Sequence, residues 1–128
     1  MRVGLALDNR MNIQNSNTKF TPDSNRPWGH CKSLTEQGRF KVRHLIIHAG
    51  KGIAMQSHFH RSEYWVAVSG SGRVTIDNKI SDLYESQSID IPIGVSHNIE
   101  NHGKVDLHLI EVQTGAYLGE DDIIRYEN

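Results

Sequence analysis

From residue 39 onward, short stretches rich in β-branched and aromatic residues alternate with turn-forming segments. The stretches are FKVRHLIIH (40–48), IAMQSHFH (53–60), EYWVAVSG (63–70), GRVTID (72–77), SIDIP (88–92) and DLHLIEVQT (106–114). Between them stand AGKG, SGSG, PIG and NHGK, which carry the chemistry of tight turns. Many short strands at this spacing, with no amphipathic helical run, predict an all-β sandwich or barrel. Only the tail, GEDDIIRYEN, is expected to make a helical turn or two. Its Glu120-Asp121-Asp122 run would suit the positive end of a helix dipole.

The N-terminal third reads differently. Residues 8–25, DNRMNIQNSNTKFTPDSN, are polar and show neither the strand nor the helix period. Residues 1–25 are therefore expected to form an arm that orders only by docking, and residues 26–128 a single domain. RPWG (26–29) reads as a turn, with Trp28 an anchor in an apolar groove.

A chain of 128 residues can build one domain around a real core but not two. Net charge is −1 and the pI about 6.7, which argues against a nucleic-acid-binding face. Cys31 is the only cysteine, so no intrachain disulfide forms and nothing points to secretion. The run VGLAL is too short for a signal-peptide core, and no stretch is long enough to span a bilayer. A cytoplasmic protein without nucleic-acid or membrane partners is expected.

Eight histidines change the picture. In a strand, alternate side chains share a face, so Gln56, His58 and His60 would point one way and Met55, Ser57 and Phe59 the other. Two imidazoles offset by two residues can chelate one divalent cation, and Glu63, after a turn at Arg61-Ser62, can bring a carboxylate to it. His97, following the turn Pro92-x-Gly94, is the expected fourth ligand. This mixed nitrogen and oxygen set suits Zn, Fe, Mn, Co or Ni without choosing among them. His30, His44, His48, His102 and His108 are read as ordinary hydrogen-bonded residues.

GIAMQSHFHRSEYWVAVSG resembles the first cupin motif, running from Gly52 through His58-x-His60 and Glu63 to Gly70. SQSIDIPIGVSHNIEN resembles the second, with Pro92-x-Gly94-x-x-His97-x-x-x-Asn101. The gap before Glu63 is two residues, where three or four are usual, and Ser86 replaces the customary opening glycine. This resemblance implies a double-stranded β-helix, the jelly-roll barrel of the cupins, with one divalent metal ion bound inside its mouth.

RPWG and IEVQTGAYLGEDDIIRYEN narrow the likeness to the type II phosphomannose isomerase domain, the isomerase half of bifunctional mannose-1-phosphate guanylyltransferase/mannose-6-phosphate isomerases, here expected as a free-standing domain. Phe59 and Tyr64 stand where that family usually has histidine, Asn98 where it has arginine, and the usual Tyr-Gly-Arg ending lies beyond Asn128. The resemblance implies interconversion of mannose 6-phosphate and fructose 6-phosphate through an enediol, and a homodimer paired through sheet edges. Glu111 is then expected as the base, sharing a strand face with Leu107, Leu109 and Gln113 while His108 faces away. Arg61 joins it in the catalytic set, and Lys51, Arg125 and Gln56 are expected to hold the sugar phosphate, with Arg43 a further cation. Two alternatives stand beside this reading: a cupin enzyme for another sugar phosphate or nucleotide sugar, and a non-catalytic sugar-binding module.

Overall fold

The computed structural model describes residues 23–126. Among them the chain forms eleven strands and no helix: β1 (Ser24–Arg26), β2 (Gly29–Glu36), β3 (Phe40–Ile47), β4 (Gly52–Ser57), β5 (Arg61–Ser69), β6 (Gly72–Ile76), β7 (Lys79–Leu83), β8 (Ser88–Ile91), β9 (His97–Glu100), β10 (Leu107–Gly115) and β11 (Ile124–Arg125). They build two antiparallel sheets, ordered β1-β2-β3-β10-β5-β8 and β11-β4-β9-β6-β7. This is the all-β barrel of two facing sheets that the two sequence motifs imply.

The period-two pattern does its work in the centre of the first sheet. Along β10, Leu107, Leu109, Glu111 and Gln113 are buried, while His108, Ile110 and Val112 on the other face are only partly so. In β3 the buried set is Lys41, Arg43, Leu45 and Ile47, and in β5 it is Arg61, Glu63, Trp65 and Ala67. The register places Leu107 opposite Ile47, Leu109 opposite Leu45 and Ala67, Glu111 opposite Arg43 and Trp65, and Gln113 opposite Lys41 and Glu63. One end of the barrel interior is therefore apolar and the other charged. Val74, Leu83 and Ile99 of the second sheet close the apolar end against Leu45, Ile47, Trp65, Leu107 and Leu109. Each large side chain buried there contributes about 1.5–3 kcal/mol.

Several local expectations change. The tail is not helical: Ile124 and Arg125 pair with Ser57 and Gln56, adding a strand to the β4 edge. Ser24 and Asn25, placed in the arm by composition, pair with Cys31 and His30; the rest of the arm, residues 1–22, lies outside the described residues. RPWG is the turn of that β1–β2 hairpin, and Trp28 packs partly buried against the core. Gly29 is required there, because a Cβ would collide with the Ile46 carbonyl oxygen. β2 carries small or polar inward residues and a register shift between Ser33 and Thr35, so no apolar alternation announces it. β7 is largely exposed, and its signal lies in the preceding turn, where Asp77 and Asn78 adopt φ of 52° and 65°.

Candidate metal centre

His58, Glu63 and His97 meet at the charged end, all buried, with one ligand atom of each lying within 4.8 Å of the others. His58 Nε2 is 3.2 Å from Glu63 Oε2, and His97 Nε2 is 3.9 Å from Glu63 Oε1. Ligand atoms bound at about 2.0–2.1 Å around a tetrahedral ion would stand roughly 3.3 Å apart. The spacing fits a small divalent cation.

The tautomers fit as well. His58 Nδ1 donates to the Asp122 carbonyl at 2.7 Å, and His97 Nδ1 donates to the Val95 carbonyl at 2.9 Å. Carbonyls only accept, so Nδ1 carries the proton and each neutral ring turns the Nε2 lone pair toward Glu63. Burial lowers the pKa of His58, with Arg61 adding to it, and lowers that of His97 to about 4. Both rings are thus in the neutral form that ligates a metal.

Local sequence builds this arrangement. The turn after Pro92 is closed by Gly94 at φ 82°, whose N–H donates to the His58 carbonyl at 2.7 Å, tying the loop carrying the first histidine to the turn preceding the second. From the tail, the Asp122 carboxylate accepts the Phe59 N–H at 3.0 Å and the His60 N–H at 2.9 Å. The run read as a helix start is instead a clasp on the loop 58–60. Asn101 of the second motif braces a neighbouring loop, donating to the carbonyls of Ile47 and Val105.

His60 does not join the cluster. β4 ends at Ser57, and Ser57 and His58 are consecutive buried residues, so the two-residue alternation stops before the histidines. The His60 side chain is 58% exposed and pairs with Asp122 at 3.1 Å. Counted from His58, four residues precede Glu63, which restores the usual cupin gap and puts Gln56 where the first histidine is customary. Gln56 stands opposite His97 across the β4–β9 ladder and lines the same cavity.

Arg61 lies against the triad. Its Nε and Nη2 donate to Glu63 Oε2 at 2.9 and 2.8 Å, and Nη2 reaches His58 Nε2 at 3.2 Å. Its Nη1 is buried with no hydrogen-bond partner. Trp65 Nε1 divides its proton between Glu63 Oε1 and Glu111 Oε2, at 3.1 and 3.3 Å. Burial, reinforced by the charge of Glu111 and opposed by Arg61, pushes the Glu63 carboxyl up to about 8.

Glu111 faces inward, as strand parity predicts, and is fully enclosed. It accepts from Arg43 Nε at 2.7 Å and from Gln113 Nε2 at 2.8 Å. Burial pushes its carboxyl up, but Arg43 overcomes this and holds it well below the usual carboxylate range. A general base works best with a pKa near the operating pH, so this geometry suits an anchor for Arg43 better than the expected base.

A cavity of about 410 Å³ opens over Glu63 and His97 of the triad, lined also by Arg26, Arg43, Arg61, Arg125 and Glu120. The volume lies within the range of small-molecule sites, about 300–1,000 Å³. Lys51 is exposed in the turn before β4 and does not line the cavity, so that candidate phosphate contact falls away from the site. Phe59 and Tyr64, the family departures, are also exposed and outside it. Arg26 and Glu120 were missed because a hairpin end and an irregular tail carry them. Arg43, the further cation expected from the sequence, does line the cavity, on the inward face it shares with Leu45 and Ile47.

The family description "Mannose-6-phosphate isomerase C-terminal" matches residues 13–128. The chain is 49% identical over 108 residues to a mannose-1-phosphate guanylyltransferase of Sinorhizobium fredii, an alignment covering 84% of this chain and 21% of that protein. It thus spans about a fifth of the length of that curated relative. Among solved structures, a protein with a double-stranded β-helix domain from Klebsiella pneumoniae superposes with TM-score 0.67 at 18% identity, over 92% of this chain and 86% of that one. The capsular polysaccharide assembling protein CapF of Staphylococcus aureus superposes with TM-score 0.70 at 25% identity, over 83% and 34%. With the profile match running over nearly the whole sequence, the chain belongs to the mannose-6-phosphate isomerase C-terminal family, on a cupin barrel.

Proposed function

We propose that this chain is a metal-dependent aldose–ketose isomerase that interconverts mannose 6-phosphate and fructose 6-phosphate. The observation that carries the reading is a buried His58–Glu63–His97 triad under a cavity lined by four arginines. A divalent ion held there, with Gln56 as an additional oxygen ligand, would supply Lewis-acid stabilisation of negative charge on the sugar oxygens. The chain's own residues supply charge stabilisation and a grip on the substrate. Arg61 has one buried donor, Nη1, without a partner, and this donor is suited to an oxygen that gains charge as the enediol forms. Arg26, Arg43, which is fixed by Glu111, and Arg125 bring guanidinium groups to the wall where a phosphate is gripped, so that remote binding energy orients the reacting carbons. The barrel interior keeps the triad away from bulk water.

The test is proton-exchange NMR with mannose 6-phosphate in heavy water, run with a panel of divalent metals and with chelator. Fructose 6-phosphate carrying solvent deuterium, formed only with metal and lost in His97→Ala, supports the assignment. Turnover of another sugar phosphate alone would move the substrate, and no turnover with any metal would remove the enzymatic reading.

A further inference from the structure

Glu120 presents a carboxylate to three cations and is bound closely by none. Its Oε2 is 3.5 Å from both Lys41 Nζ and Arg43 Nη1, and its Oε1 is 3.8 Å from Arg26 Nη2. A charge-assisted hydrogen bond is about 2.7–2.9 Å long. Arg43 makes one such bond, but to Glu111, at 2.7 Å. The Glu120 side chain is 48% exposed, and its segment, 116–123, contains neither strand nor helix, so the carboxylate can leave without disturbing a sheet.

The cations are better fixed than the anion they surround. Arg43 is held by Glu111, and Lys41 is almost wholly enclosed, donating to the Leu118 carbonyl at 3.2 Å. Arg26 and Arg43 both line the cavity above the triad, as does Arg61 with its unpartnered buried Nη1. A single carboxylate offers two oxygens and one negative charge. A phosphate monoester offers three oxygens and nearly twice the charge, matching two guanidinium forks more fully.

We propose that Arg26 and Arg43 form an anion subsite in which the Glu120 carboxylate holds the place of a substrate phosphate monoester and is displaced when the phosphate arrives. Glu120 is then an internal competitor that keeps the subsite neutral until a dianion replaces it. The identity of that anion as a sugar phosphate rests on the proposed isomerase reading; the exchange of carboxylate for phosphate does not.

The experiment is a calorimetric titration of inorganic phosphate into wild-type protein, Glu120→Gln, Arg26→Gln and the double variant, with thermal melts of each. Glu120→Gln should bind phosphate at least tenfold tighter than wild type, and adding Arg26→Gln should abolish that gain. If Glu120 is only a clasp for the tail, the signs reverse: Glu120→Gln melts lower and binds phosphate no tighter, which overturns the proposal. Unaltered affinity in Arg26→Gln also overturns it. The titration needs no turnover, so the two readings fail separately. A chain that behaves as predicted here but leaves mannose 6-phosphate unchanged refutes the isomerase alone. One that isomerises while Glu120→Gln leaves phosphate affinity unaltered refutes the subsite alone.

Discussion

β3, β5 and β10 run through the barrel with one parity, yet their two halves do different things. At one end their inward side chains are Leu45 and Ile47, Ala67 and Trp65, Leu107 and Leu109. Two residues further along the same faces stand Lys41 and Arg43, Arg61 and Glu63, Glu111 and Gln113, equally enclosed. The hydrogen-bond ladders continue across the boundary, with the one register shift of the β5–β10 pair lying between His108 and Leu109 in the apolar half. The difference is energetic. The apolar half gains free energy from leaving water, while the charged half costs desolvation that only mutual pairing offsets. The lesson is that the barrel's stability and its chemistry are drawn from the same strands, and that the second is sustained by the first.

Substitutions can disturb either half separately. The largest effect on stability is expected from Arg43→Met, which leaves the Glu111 carboxylate buried beside an apolar side chain. Losing one partner of a buried pair costs about 3–5 kcal/mol, and chemical denaturation should show it. Adding Glu111→Leu should recover much of the loss, because two apolar groups carry no stranded charge. A double variant as unstable as the single one would mean that the pair has some further role in the fold.

Leu109→Ala attacks the opposite end. A large-to-small change at a fully buried leucine costs about 2–5 kcal/mol, set by how far the neighbours collapse. Protein that remains folded should keep its metal, since no ligand is touched. Loss of metal from folded Leu109→Ala would show that the two halves are coupled more tightly than the shared ladders require.

Asp122→Ala should have the smallest effect on stability and a selective one on the site. It removes both acceptors of the Phe59 and His60 N–H groups, freeing the loop that aims His58. Outer partners of this kind are worth roughly 10–100-fold in metal affinity. A cobalt titration followed by absorbance should show that weakening with little change in melting temperature. Unchanged affinity would leave Asp122 a mere loop tie.

Much of this was legible in the chain. Alternation in β3, β5 and β10 announced the barrel, and the cluster of His58, Glu63 and His97 contains three of the four ligands expected from the sequence, the fourth being His60. Glu111 was placed inward by parity with Leu107 and Leu109 and Arg43 was named as a further cation, but the pairing of the two follows only from the β3–β10 register. His60 shares a face with His58 only if strand alternation runs through residue 60, whereas β4 stops at Ser57. The tail misled for another reason. GEDDIIR has the local chemistry of a helix start, but pairing with β4 and the clasp on the 58–60 loop are tertiary gains that outweigh it. Arg26 and Glu120 reach the mouth only through the closure of the two sheets, and no local pattern marks that.

His58, Glu63 and His97 are proposed to hold one cation, with His60 outside the set. The most direct measurement is elemental analysis of metal-reconstituted His58→Ala and His60→Ala beside the wild type, with circular dichroism confirming the fold of each. A stoichiometric ion is expected in the wild type and in His60→Ala, and none in His58→Ala. An ion lost from His60→Ala but retained by His58→Ala would contradict this.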